Sequence, residues 1–117
     1  MRAILIAGMM AVAGPALAQS SVAVDAVANI TAAAPYCSFV IERDAVEQFL
    51  KERGVSRAKA SDAAALEKAF DRAGKSWSVA GSVRTHGNGQ ADLEARCAQI
   101  VGAYGTTGTI RPGLLKK

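Results

Sequence analysis

Histidine occurs once in this 117-residue chain, cysteine twice and tryptophan once, and aromatic side chains make up 5% of it. A zinc site takes about four Cys, His or carboxylate ligands, so a chain whose one histidine is His86 offers no metal centre. Proteins that bind nucleic acid show a concentrated basic stripe with aromatics set into it. Here a formal charge of +4 is spread thinly, which excludes nucleic acid as a partner. The catalytic signatures are missing too. Gly81-Ser82 does not extend into a G-x-S-x-G nucleophile elbow, and neither Gly87-Asn88-Gly89 nor the glycines of 102–108 match a phosphate-binding fingerprint. The carboxylates sit singly, apart from the neighbours Glu42 and Asp44. With no C-x-x-C, no haem-attachment motif and no EF-hand loop, the chain reads as a non-enzyme with no cofactor.

Long apolar runs are equally scarce, and the one present lies at the start. Met1-Arg2 supplies a positive beginning, Ala3 to Ala13 an apolar stretch, Gly14-Pro15 a breaker and Ala16-Leu17-Ala18 the small residues that a signal peptidase reads. That order spells an export signal. A spanning helix needs roughly 20 apolar residues, and this run is interrupted by Gly8, Gly14 and Pro15 before it meets Gln19-Ser20-Ser21. The expectation is a signal peptide over 1–18, cleaved after Ala18, and a single small domain over 19–117 with no membrane span, located in the periplasm or secreted. Arg2 leaves with the leader, so the formal charge falls from +4 to +3.

An oxidising compartment settles the use of Cys37 and Cys97. With two cysteines only one intramolecular disulfide exists, and in the chain-entropy model closing a loop of this size contributes about 4 kcal/mol. Total stabilities run at ~5–15 kcal/mol, so this bond is expected to hold a thin, alanine-rich core together.

Periodicity predicts an all-α domain of three to four helices with an irregular C-terminal tail. Val24, Val27, Ile30 and Ala34 recur at helical spacing, which suggests a helix over 22–33 ended by Pro35. Residues 36–41, from Tyr36 to Ile41, form the densest large-apolar stretch and read as extended or as a tight turn. A helix capped by Asp44 follows, with Val46, Phe49 and Leu50 on one face, Glu47 paired to Lys51, and Gly54 as its stop. A second, capped by Ser61 or Asp62, carries Leu66, Ala69, Phe70 and Ala73 and stops at Gly74. Residues 75–89 read as irregular. Asn88 is expected to cap a helix over 90–104, whose face Leu93, Cys97, Ile100, Val101 and Tyr104 is buried and whose Asp92 and Arg96 pair outside. The tail carries turn chemistry, including Pro112-Gly113 as the centre of a type II turn. Ile110, Leu114 and Leu115 are expected to fold back onto the core.

The layout of signal, some ninety helical residues and one long-range disulfide resembles that of small acid-stress chaperones of the bacterial periplasm. The resemblance lies in architecture. It implies a holdase, in which protonation of carboxylates below about pH 4 removes helix-face ion pairs and exposes apolar segments. The residues themselves favour a small exported protein with a non-catalytic binding role toward another protein or a small ligand. Trp77, His86, Leu114 and Leu115 are the candidate contacts. Trp77 either anchors a partner or closes the core, and burial of so large a ring favours the core. His86 has a pKa suited to a general base, which leaves a small enzyme or enzyme inhibitor using the His86 loop as a further alternative. A subunit of an envelope complex is another.

Overall fold

The valines and isoleucine of residues 24–30 do form one face of a helix. In the computed structural model, which describes residues 2–83 and 89–116 and the side chains of 20–80 and 89–116, they belong to α1, Arg2–Cys37. The chain continues through β1 (Val40–Ile41), α2 (Arg43–Glu52), α3 (Ala60–Val83), α4 (Gly89–Tyr104) and β2 (Leu115–Lys116). The architecture is all-α, with four helices and one two-stranded ribbon among the described residues. No described helix is long and apolar enough to cross a membrane.

Pro35 does not end α1 where expected. Pro35 forfeits its N–H bond and crowds the carbonyl of Thr31 one turn back, yet the helix runs two residues beyond it to Cys37, where the cross-link holds the chain. Ser38 then takes the left-handed conformation (φ 57°) and donates its N–H to the carbonyl of Ala34 at 3.2 Å. This is the αL way of closing a helix, normally given to glycine. α2 stops as expected at Gly54 (φ 77°). The Gly54 N–H meets the Lys51 carbonyl and the Val55 N–H that of Leu50, a Schellman ending with the buried Val55 as its apolar partner. Its start differs from expectation. Glu42 occupies the N-cap, and Asp44 lies in the first turn, where its charge suits the positive helix end.

The largest departure is α3. Gly74 was expected to stop it, yet the helix passes straight through to Val83. An exposed mid-helix glycine costs only about 1 kcal/mol. Beyond it Trp77 and Ala80 extend the stripe of Leu66 and Ala69 at helical spacing, and all four are buried. Burial outweighs the glycine. Asp62 is not the cap of α3 either, because its Oδ2 accepts the backbone N–H of Ser56 (2.9 Å) and fixes the incoming loop. Asn88 lies outside the described residues.

Two side-chain contacts set the helix directions. Arg72 reaches Asp25 (3.3 Å) and Trp77 reaches Asn29 (2.6 Å), so α1 and α3 advance together, in parallel. α2 returns along α1, with Ser20 Oγ donating to the Arg53 carbonyl at its far end. α4 returns along α3, where Arg96 meets Ser76. The core between them holds Val27, Ile30, Phe49, Leu50, Leu66 and Trp77.

The tail is folded. Gly113 has φ 84°, the sign that the second central residue of a type II turn requires. β2 then pairs antiparallel with β1, Ile41 opposite Leu115, and the Glu42 backbone N–H donates to the Leu114 carbonyl. Leu114 and Leu115 are fully buried. Ile110 is not, at 60% exposed, because its N–H follows the end of α4 (to the Ala103 carbonyl) and its side chain is left outside the core.

Candidate functional site

Leu93, Cys97 and Val101 stand one turn apart on α4 and face the end of α1. Cys97 is bonded to Cys37 there, with Cα atoms 5.4 Å apart. The cross-link sets two surfaces side by side without filling the space between them. A groove of about 570 Å³ remains, lined by the disulfide, Tyr36, Leu93 and Val101, with the small Ala98 and Gly102 leaving it open. Ser38, Gln90 and Glu94, all exposed, edge it. Gln90 donates to Glu94 Oε1 at 3.2 Å across one turn. The volume lies within the range of small-molecule sites, ~300–1,000 Å³.

Tyr36 is held from behind. Its ring stacks on Trp77 with centroids 6.2 Å apart and planes at 23°. Trp77 in turn donates its indole N–H to Asn29 Oδ1 and carries the Arg96 guanidinium 4.2 Å over its ring. Arg96 was expected to pair with Asp92. It instead covers the indole and bonds Ser76 Oγ, since a cation gains more over a large aromatic face than beside an exposed carboxylate.

Among the sequence-derived contact residues, the three described ones lie in the core rather than at the groove. Trp77 (1% exposed), Leu114 and Leu115 (both 0%) are core, and none of the three lines the groove. His86 lies outside the described residues. Trp77 keeps an indirect part as the support of Tyr36. The groove residues Tyr36, Ser38, Glu94 and Val101 were missed as a site. One signal pointed to them, because the expected Cys37–Cys97 bond necessarily places 36–38 beside the Leu93–Val101 face.

A second cleft, of about 720 Å³, lies among α1, α2 and α3 and includes Val27, Val46 and Phe70. Arg43, Asp44, Glu47 and Arg57 also line it, and Glu47 pairs with Arg57 (2.8 Å) in place of the expected Lys51. Its charges balance, whereas the groove beside the disulfide is the more apolar of the two. Elsewhere, among the described residues, two ionisable groups are displaced. Hydrogen bonding from Arg111 holds the Glu52 carboxyl below its ordinary range, and burial pushes the Tyr104 phenol up. Neither lines the groove. Among the described residues no group of three His, Cys, Asp or Glu side chains is placed to hold a metal ion.

No family model, no curated protein and no solved structure matches the chain.

Proposed function

We propose that the chain is exported and acts outside the cytoplasm as a non-catalytic binding protein, with the groove beside Cys37–Cys97 as its ligand site. The observation that carries this reading is the groove itself, an apolar cavity of about 570 Å³ lined by a disulfide, a clamped tyrosine and two aliphatic side chains. Binding sites of this kind are mostly apolar, with a few polar groups that orient the ligand. The leader over 1–18 supports export, and a disulfide closing sixty residues suits an oxidising compartment.

The test is a methyl and aromatic NMR screen of small apolar fragments. Shifts clustered on Leu93, Val101 and Tyr36, and lost when the exposed Ala98 is replaced by tryptophan to fill the groove, support the reading. Fragments that leave these three residues unmoved overturn it. Export is tested by N-terminal sequencing of protein recovered from the periplasm, which should begin at Gln19.

One observation favours a second reading, an acid-activated holdase. The tail that brings Leu114 and Leu115 into the core is tied down through two carboxylates, Arg111 to Glu52 and Lys116 to Glu42. Protonation of both would loosen it. Suppression of client aggregation at about pH 3 but not at about pH 7 is the expected result, and no suppression at either pH ends the idea.

A further inference from the structure

We infer that the groove beside the disulfide takes a small organic cation, an apolar body bearing a protonated amine. The inference rests on the groove reading above and names the ligand class for it. Three features converge. First, Glu94 is the one charged side chain among the described groove-lining residues, in a chain whose formal charge is otherwise in positive excess. Its Oε1 already accepts from Gln90, which orients the carboxylate.

Second, the groove opens at the C-terminal end of α1, with Tyr36, Cys37 and Ser38 on its wall. A helix C-terminus carries about half a negative charge, an effect confined to its last turn. Basic side chains ordinarily offset it, and the last turn of α1 contains none. The negative helix end and the Glu94 carboxylate therefore border one apolar space.

Third, the groups edging that space suit an ammonium. Its three N–H donors need acceptors, and the Glu94 carboxylate and the Ser38 hydroxyl supply them. Arg96, the cation nearest in sequence, is turned away onto Trp77 and Ser76 and does not line the groove. Among the described residues, an anionic ligand would meet a carboxylate and a negative helix end with no cation lining the groove to compensate. The apolar remainder of the ligand would lie against Leu93, Val101 and the disulfide.

Phenethylammonium and phenylacetate share a ring and differ in the sign of the charged end, so they serve as the probes. Each is titrated into the full-length protein and followed at Leu93, Val101 and Tyr36, in the native sequence and in Glu94→Gln. Phenethylammonium is expected to bind several-fold more tightly than phenylacetate, and to weaken with added salt. Glu94→Gln is expected to weaken it about threefold to fivefold, the scale of one exposed ion pair, without weakening phenylacetate. Equal affinity for the two probes, or a Glu94→Gln protein that binds phenethylammonium unchanged, overturns the cation inference and leaves the groove reading standing. Failure of both probes to move the three groove residues overturns both.

Discussion

The indole N–H of Trp77 donates to Oδ1 of Asn29 at 2.6 Å, a bond between α3 and α1 across 48 residues. Trp77 is buried and Asn29 half-buried, so water replaces that acceptor only in part. Asn29→Ala therefore leaves a buried donor without its partner, which costs about 1–3 kcal/mol. Urea denaturation measures it. A double-mutant cycle with Trp77→Phe, which removes the N–H, should show the two positions coupled. A stability for Asn29→Ala indistinguishable from the native protein would mean that the bond contributes nothing.

Loss of the Cys37–Cys97 bond should be the most damaging single chemical change. Replacing both cysteines by serine frees a sixty-residue loop, an expected loss of about 4 kcal/mol on the chain-entropy model. The urea midpoint of the double variant, set beside that of the oxidised protein, gives the answer. A shift under about 1 kcal/mol would show that packing alone holds α4 to α1.

Two left-handed positions should respond in opposite directions. Ser38 adopts φ 57° without being glycine, so Ser38→Gly should stabilise the fold by about 1 kcal/mol. Gly54 adopts φ 77°, and Gly54→Ala should destabilise by about 1–2 kcal/mol. Thermal melts of the pair test this together. Two shifts of the same sign would contradict the account of how α1 and α2 end.

The tail should be sensitive to acid through Glu52. Arg111 grips both its oxygens, with Nη2 to Oε2 at 2.9 Å, and this hydrogen bonding sets the carboxyl below its ordinary value of 4.5. A depressed folded-state pKa means that the contribution is present above the unfolded value and is lost as pH falls through the folded one. Glu52→Gln should therefore lower the urea midpoint at about pH 6 and make progressively less difference toward about pH 3. A difference that grows on acidification would reverse the sign of the argument.

Much of the fold was legible because local chemistry and burial agree. The stripe of Leu93, Cys97 and Ile100 marked α4, Gly54 marked the end of α2, and the cysteine count marked the cross-link. Gly74 and Pro35 misled because a breaker's local cost was weighed without the burial that follows it. Trp77 and Ala80 lie beyond the glycine, and the Cys37 cross-link beyond the proline. Spacing along one helix pairs Glu47 with Lys51 and Arg96 with Asp92, but Glu47 meets Arg57 and Arg96 meets Ser76 on other segments, which such spacing does not reveal. The groove was the hardest part to read. It belongs to no motif and arises only where the disulfide sets the end of α1 beside α4.

The central claim is that this groove is where the protein binds. The most direct measurement is the NMR titration of phenethylammonium into the native protein and into Ala98→Trp. Saturable shifts confined to Tyr36, Leu93 and Val101 are expected in the native protein, and their loss when tryptophan occupies the groove. Shifts scattered over the surface, or unchanged in Ala98→Trp, would contradict it.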